Sequence, residues 1–353
     1  MKNQHLLLGT IVLLLATACR NSSQNTSDQE QTSDTETSAE TMYATTGSIN
    51  RMSPKLNALL PEDAQLEILA EGFEWSEGPL WLEDQQVVIF CDIPNNRINS
   101  WKEGDKSAGV YLEPSGYTGT VERGGETGSN GLLLNPEGKL VLCQHGDRRM
   151  ALMDAPLDAP MPKFVTIADN WQGKKLNSPN DAAYHSNGSL YFTDPPYGLE
   201  FNMEDPAKEL KFQGVYRVKP NGEISLMTDQ VTRPNGIAFS PDGKTAYVAS
   251  SDPEKAIWMA YEVNEDGDFV NGRVFLDVTD QVDKMPGLPD GLKVDNKGNL
   301  FATGPGGVYI ISPEGEILGL VNTGQATANC AFNSDQSELY ITADMYLMRL
   351  KLR

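Results

Sequence analysis

The 353-residue sequence contains few histidines and cysteines, three and four respectively. The histidines, His5, His145 and His185, share no ligand spacing, and the cysteines match no zinc motif, which disfavours zinc or copper centres built on these side chains. Basic residues are also scarce, because 28 Lys and Arg stand against 49 Asp and Glu and give a net charge of −21. This balance excludes a protein held on nucleic acid by bulk charge and a polybasic membrane-surface protein.

Long apolar runs and helical periodicity are missing as well. The apolar run over residues 6–15 is too short to span a membrane, and no long segment repeats apolar residues with the period of a helix. A Gly-Xaa-Ser-Xaa-Gly elbow is absent, so a serine nucleophile has no support. Glycine (32) and proline (21) are plentiful instead, which indicates many short elements joined by turns.

The first 60 residues predict an export signal and a tether. Lys2, the apolar run and the small residues before Cys19 are typical of a secretory signal over residues 1–18, and the sequence at Cys19 resembles the bacterial lipobox. A plain cleaved signal is the alternative. We expect residues 19–60 to be a lipidated cysteine and a disordered tether, because residues 20–48 contain no Leu, Val, Phe or Trp. The protein is then an exported, membrane-anchored lipoprotein that faces the periplasm or the cell exterior and touches the membrane only through its lipid.

One phrase, a polar turn followed by a short β-rich run that ends in a small residue, occurs six times in the rest of the chain. Its copies are residues 85–92, 137–144, 187–194, 242–250, 297–304 and 336–343. The small residues, Cys91, Cys143, Thr193, Ala249, Thr303 and Thr342, are 39 to 56 positions apart. Short strands at this period are typical of propeller blades. We predict an all-β, six-bladed β-propeller over residues 61–353.

A strand over residues 65–69 precedes the first copy and is placed to pair with the last blade and close the ring. A β-sandwich is the alternative fold, although it gives no reason for one phrase to recur six times. Cys91, Cys143 and Cys330 remain after the lipidated cysteine, an odd number, and we interpret them as small core residues.

Each copy of the phrase is preceded, 13 or 14 residues upstream of its small residue, by a side chain with a carboxylate or a carboxamide. These residues are Glu77, Asn130, Asn180, Asn235, Asp290 and Asn329. Equivalent positions in a propeller lie at one radius, so the six side chains should point to a common spot on the axis. The alternative is that Asn, Asp and Gly only form turns that lead into strands.

A ring of oxygen atoms selects a hard cation. Ca²⁺ prefers carboxylate, amide and water oxygens, and two carboxylates balance its charge. We therefore expect one divalent cation, Ca²⁺ in the first place, with Mg²⁺, Mn²⁺ or Zn²⁺ as alternatives.

Five phrases make the chain resemble the SMP-30/gluconolactonase/LRE-like family. They are residues 76–81 (SEGPLW), 178–181 (SPND), 191–198 (YFTDPPYG), 233–236 (RPNG) and 289–292 (PDGL), and residues 144–149 (QHGDRR) resemble the bacterial gluconolactonase branch. The resemblance implies a six-bladed propeller with a channel metal held by Glu77, Asn235 and Asp290. Asn180 either binds the metal or contacts the substrate. Animal members carry Arg where this chain has Ser178, so their sugar contacts do not transfer.

The resemblance also implies a reaction, the hydrolysis of a sugar lactone at the mouth of the channel. Asp290 is the general base that the family implies, and Glu77, Asn180 and Asn235 hold the ion. Five further residues are candidates for substrate contacts or for support of the ligands: Asn130, Asp181, His145, Tyr197 and Asn329. We expect Asp181 to point away from Asn180, because side chains alternate along a strand. His145 is a conceivable proton shuttle, with a structural role as the alternative.

Two other functions remain open at this stage. A calcium propeller can also hydrolyse organophosphate triesters or aryl esters. It can equally bind glycans or protein partners and use the ion only for rigidity. The residue types in the ring do not separate carbonyl from phosphoryl chemistry.

Overall fold

The structure, a computed structural model, describes residues 43–353. The expected signal segment, Cys19 and residues 20–42 of the expected tether lie outside the described residues. In residues 43–353, six antiparallel sheets of four or five strands follow one another as the blades of a propeller, and a two-stranded hairpin is added beside them. The predicted fold class, an all-β six-bladed propeller, is confirmed.

The strands are numbered here in chain order. Before the first blade come β1 (Thr45–Thr46), β2 (Ser48–Arg51) and β3 (Leu66–Glu71). Blade 1 consists of β4 (Ser76–Leu82), β5 (Val87–Asp92), β6 (Arg97–Lys102) and β7 (Gly109–Leu112). Blade 2 consists of β8 (Ser129–Leu134), β9 (Leu140–Gln144), β10 (Arg149–Met153) and β11 (Phe164–Ala168). The hairpin that follows is β12 (Asn170–Trp171) and β13 (Lys174–Lys175).

The second half of the chain continues the pattern. Blade 3 consists of β14 (Ala182–Tyr184), β15 (Leu190–Asp194), β16 (Gly214–Val218) and β17 (Ile224–Thr228). Blade 4 consists of β18 (Pro234–Phe239), β19 (Thr245–Asp252), β20 (Lys255–Val263) and β21 (Phe269–Asp277). Blade 5 consists of β22 (Leu292–Val294), β23 (Leu300–Gly304), β24 (Gly307–Ile311) and β25 (Ile317–Asn322). Blade 6 contains β26 (Thr327–Phe332), β27 (Glu338–Ala343) and β28 (Tyr346–Lys351).

Each repeated phrase of the sequence is the second strand of a blade. The strands β5, β9, β15, β19, β23 and β27 fall within the six copies or extend past them by at most two residues, and the small residues that aligned the copies are all inaccessible to solvent. Small side chains suit these places because the second strands are covered on both faces by the neighbouring blades.

The ring is closed by strand β3, which pairs antiparallel with β28 at the end of the chain. This confirms the predicted closure. The structure corrects the expected boundary at residue 61, because β1 pairs with β3 and β2 pairs with β25 of blade 5. Residues 45–58, expected to belong to the tether, are therefore part of the folded propeller.

The hydrophobic core lies between the blades. In the described part of the chain, buried apolar side chains form six clusters, and each contains residues from two adjacent blades. Cys91, Cys143 and Cys330 are unpaired and fully buried in these clusters, as predicted. Because every blade packs on two others, the blade positions and hence the inner strands are fixed around the ring.

Helical structure in residues 43–353 is limited to three 3₁₀ helices, Pro54–Ala58, Asn202–Glu204 and Thr279–Gln281. None of these helices is long and apolar enough to cross a membrane.

Candidate functional site

The residues of the predicted ring lie where the innermost strand of each blade begins. Glu77 pairs directly with Cys91, and Asn329 pairs with Thr342, so the sequence alignment matches the strand register. The register then shifts, and an irregularity of the β-bulge type follows or adjoins the ring residue in blades 1, 2, 4 and 6. Bulges turn side chains out of the regular alternation, and four of the six ring residues lie beside one.

Close contacts between neighbouring inner strands hold the ring together. The backbone N–H of Gly131 donates to Asn180 O at 2.8 Å, and that of Gly236 donates to Asp290 O at 3.2 Å. A Cβ atom at Gly236 would lie 2.3 Å from Asp290 O, and one at Gly78 would lie 2.1 Å from Asn130 O. Glycine is required after these ring residues because any side chain would push the adjacent blades apart.

Five of the six ring residues line one cavity of about 470 Å³. These five are Glu77, Asn130, Asn180, Asn235 and Asp290. All except Asp290 are at most 4% exposed, whereas Asp290 is partly accessible from the cavity. The structure therefore brings together the four predicted metal ligands and Asn130.

Four side-chain oxygen atoms of the residues that line this cavity have no protein partner among the described residues. The Oδ1 atoms of Asn130, Asn180, Asn235 and Asp290 are buried and unpartnered. The amide of Asn235 is oriented by its nitrogen, which donates to Ser251 Oγ at 2.9 Å and leaves Oδ1 toward the site. Buried acceptors normally find a donor or a cation, so four orphaned oxygens at one place indicate a binding site for positive charge.

Glu77 and Asp290 bring two carboxylates into the same buried space. Glu77 Oε2 accepts hydrogen bonds from Gly78 N at 2.5 Å and from Asn329 Nδ2 at 3.1 Å. Burial raises the pKa of Glu77, and burial together with the charge of Glu77 raises the pKa of Asp290 well above its ordinary value. Two carboxylates that oppose each other's ionisation are stabilised by a shared cation.

The side-chain amide of Asn180 lies next to the imidazole of His145. His145 is fully buried, and its Nε2 lies 3.5 Å from Asn180 Nδ2, while its Nδ1 lies 3.0 Å from Glu126 Oε2. An unprotonated Nε2 can accept from the amide nitrogen, which keeps Asn180 Oδ1 directed at the cavity. The structure thus gives His145 contacts that orient a ring residue.

Asn329 does not line the cavity but supports it. Its nitrogen donates to Glu77, and its Oδ1 accepts from Cys330 N at 2.9 Å and from Lys293 Nζ at 3.4 Å. With both ends of the amide in use, Asn329 fixes the carboxylate of Glu77 and has no free oxygen for an ion.

Asp181 directly follows Asn180 but does not line the cavity. Asn180 N donates to Thr193 O, and Thr193 N donates to Asp181 O, so both residues pair through their backbones with Thr193. The carboxylate of Asp181 is buried, lies 4.0 Å from Lys293 Nζ and is close enough to help raise the pKa of Glu77. It has no hydrogen bond to Asn180 and forms a second polar layer with Lys293 and Asn329.

Tyr197, a predicted site residue, lines the cavity. Glu126, Arg233 and Trp75 also line it, although they were not among the predicted site residues. Burial and the neighbouring Asp290 raise the pKa of Tyr197, so its hydroxyl stays protonated. Glu126 lies in the loop before β8, outside the repeated phrases, and left no signal in the sequence. Arg233 directly precedes Pro234 and Asn235, a position that the repeat alignment could have flagged.

The donor set fits a hard divalent cation. In residues 43–353, no group of three or more His, Cys, Asp or Glu side chains is placed to hold a metal ion by itself. The site instead combines two carboxylates with three amide oxygens, the mixture that Ca²⁺ accepts and that zinc does not favour. The residues present can therefore hold such an ion without a histidine or cysteine.

Known proteins resemble this chain along most of its length. The sequence model of the SMP-30/Gluconolactonase/LRE-like region matches residues 75–344. A gluconolactonase from Zymomonas mobilis is 37% identical over 319 residues, which cover 88% of this chain and 87% of that protein. A gluconolactonase structure from Xanthomonas campestris has a TM-score of 0.74 and 31% identity, and the match covers 88% of this chain and 96% of that one.

A more distant structure shares the fold. A calcium-binding regucalcin from Agrobacterium tumefaciens matches 81% of this chain and 93% of its own, with a TM-score of 0.61 and 18% identity. The family match covers more than half of the sequence and includes every residue of the ring. The chain belongs to the SMP-30/gluconolactonase/LRE-like family.

Proposed function

We propose that the protein is a metal-dependent hydrolase that opens a sugar lactone at the mouth of the propeller channel. The observation that carries the proposal is the group of four orphaned oxygens and two mutually opposed carboxylates at the floor of one cavity. The similarity to gluconolactonases at 37% and 31% identity supports the same reaction.

Glu77, Asn180, Asn235 and Asp290 would hold the divalent cation, for which we propose Ca²⁺. When bound, the ion supplies positive charge that polarises the lactone carbonyl and offsets negative charge in the transition state. Asn130 has the same unpartnered Oδ1 and is available to the ion or to a substrate hydroxyl.

Asp290 is the proposed general base. It is the ring residue with the greatest access to the cavity, where a water molecule and the lactone carbonyl carbon can meet. Asp290 takes one proton from the water as its oxygen bonds to the carbonyl carbon. The ring C–O bond then breaks, and the departing oxygen takes that proton back, which yields the open hydroxy acid and restores the carboxylate.

Other residues of the site orient the reactants. The amide of Asn235 is fixed by Ser251, and the amide of Asn180 is held by His145, so their oxygens need little reorganisation on binding. Tyr197 is protonated beside Asp290 and can donate a hydrogen bond to the carboxylate or to the substrate.

A pH-stat assay over a panel of lactones tests the proposal, because hydrolysis releases acid. We expect turnover of glucono-δ-lactone that is lost with a chelator and restored by Ca²⁺. Asp290→Ala should lower kcat by at least ~100-fold with the fold intact by circular dichroism. Unchanged turnover in this variant would reject Asp290 as the base, and absence of turnover on every lactone would reject the function.

For the segment before the propeller we propose cleavage ahead of Cys19 and lipidation of that residue. The support is the sequence alone, since the segment lies outside the described residues. Membrane fractionation tests it: the wild-type chain should sediment with membranes and dissolve in detergent, and Cys19→Ala should abolish this. A variant that remains in the membrane fraction would refute the anchor.

A further inference from the structure

The cavity above the ring has two chemically different halves. The blades follow one another around the channel, so the blade that a loop leads into fixes its place on the rim. The loops on the side of blades 2, 3 and 4 supply Glu126, Tyr197 and Arg233. This half offers a carboxylate, a phenol and a guanidinium to the polar atoms of a substrate.

The other half of the rim is apolar. The segment that leads from blade 4 into blade 5 supplies Val282, Met285 and Leu288, and Trp75 lies before the first strand of blade 1. Each of these side chains is half-buried and partly open to the cavity. A hydroxyl also lines this side, that of Thr327, but its Oγ1 is paired with Thr323 Oγ1 at 2.7 Å.

A bare sugar lactone matches the polar half of the cavity but leaves the apolar half without a matching group. Its hydroxyl groups lie all around the ring, and those turned toward the aliphatic side chains would lose water without gaining a partner, which costs free energy. An aliphatic group in the same place would gain from leaving water. The cavity of about 470 Å³ has room for such a group beside the lactone ring.

We propose that the preferred substrates are lactones that carry an apolar substituent, with the lactone over the ring of oxygens and the substituent against Val282, Met285 and Leu288. The proposal rests on the proposed lactone hydrolysis and specifies its substrate class. Recognition is divided, because blades 2 to 4 bind the polar part and the segment before blade 5 binds the apolar part.

Kinetics with a homologous series test the proposal. In the calcium-loaded protein, kcat/KM is measured for γ-lactones with alkyl groups from methyl to hexyl on the carbon next to the ring oxygen, and for glucono-δ-lactone. We expect kcat/KM to rise up to about fourfold for each added methylene that becomes buried. It should level off when the apolar half is filled, and the longer members should exceed glucono-δ-lactone.

Substitutions in the apolar half test whether the effect of the alkyl group on kcat/KM arises there. Val282→Thr keeps the shape of the side chain and adds a hydroxyl, and Met285→Gln keeps its length. Both should lower kcat/KM for the hexyl lactone several-fold more than kcat/KM for the methyl lactone. Met161→Gln is the matched control, because Met161 is 50% exposed outside the cavity. Thermal unfolding of each variant checks that the fold is retained.

The outcomes separate this proposal from the proposed function. Turnover of glucono-δ-lactone with no rise along the alkyl series overturns the apolar specificity and leaves the lactone hydrolase standing. An equal loss on both substrates in the two variants also overturns it, since that reports damage to the site. Absence of turnover on every lactone rejects the hydrolase itself.

Discussion

Calcium should stabilise the folded protein through Glu77 and Asp290. In the cation-free protein these carboxylates share a buried space and oppose each other's ionisation. A ligand that binds only the folded state adds ~2.7 kcal/mol at 100 times its dissociation constant. For a chain of this size that corresponds to a rise of about 4 °C in Tm.

The variants Glu77→Gln and Asp290→Asn should raise Tm in the absence of the ion and lower it in the presence of the ion. In chelator each variant should melt above the wild type, because it removes one of two repelling charges. In saturating Ca²⁺ each should melt below the wild type, because it loses a charged ligand. An ordinary loss of packing would instead lower Tm under both conditions, so the change of sign is specific to a cation site.

The pH dependence of the stability of the cation-free protein follows from the same two carboxylates, Glu77 and Asp290. The pKa of each carboxyl is raised above its ordinary value in the folded state, so the folded protein binds more protons than the unfolded one. Stability in chelator should therefore fall as pH rises above about 4, and bound Ca²⁺ should reduce this fall.

Differential scanning fluorimetry with and without Ca²⁺, at several pH values, provides the measurement. Asp154→Asn is the matched control, because it removes one negative charge from an exposed surface pair with Lys163. It should leave the calcium shift unchanged. A calcium shift of equal size in the wild type, Glu77→Gln and Asp290→Asn would refute the assignment of the ring as the cation site.

Three further predictions concern the surroundings of the ring. His145→Ala should weaken Ca²⁺ binding about tenfold in calorimetry, and His145→Gln should recover part of it because its amide oxygen can accept from Asn180; equal affinities in both variants would contradict this. Gly236→Ala should lower both Tm and kcat, because the new methyl meets Asp290 O at 2.3 Å, and a variant that retains wild-type values for both would disprove the close-contact requirement. Arg349→Met should cost roughly 2 kcal/mol in unfolding experiments, because the half-buried carboxylates of Glu67 and Glu338 lose a buried guanidinium partner, and kcat/KM of the folded protein should stay unchanged; loss of activity without loss of stability would speak against a structural role.

The repeat in the sequence predicted the fold and the ring because all blades share one register. Glu77 lies opposite Cys91, and Asn329 lies opposite Thr342, so a constant spacing along the chain becomes a constant radius in space. An alignment of strands within one sequence was enough to place residues more than 200 positions apart, Glu77 and Asp290, around a single cavity.

The first two strands could not be found in the same way. Residues 45–51 have exposed or half-buried side chains and are held by backbone pairing at the outer edges of blades 5 and 6. Edge pairing of this kind requires free N–H and C=O groups but few apolar residues, so the sequence resembles a solvated tether. Glu126 was missed for a related reason, because it lies in a loop and loops do not repeat from blade to blade.

The residues that directly follow the six ring residues occupy equivalent positions in the blades. Four blades have glycine there, whereas blade 3 has Asp181 and blade 6 has Cys330. A Cβ atom at Gly131 would lie 2.8 Å from Asp181 Oδ1, and one at Gly291 would overlap the Asn329 side chain. These glycines therefore leave the room in which Asp181 and Asn329 form the second polar layer.

That layer connects the charge of the ring to Lys293. Lys293 Nζ lies 4.0 Å from the carboxylate of Asp181 and 3.4 Å from Asn329 Oδ1, and Asn329 in turn donates to Glu77. The lysine lowers the pKa of Asp181 and of Glu77 against the effect of burial, so part of the negative charge is already balanced before any ion binds. The positive charge of Lys293 thus offsets part of the repulsion among these acids, which allows Glu77 and Asp290 to lie close together beside a solvent-accessible cavity.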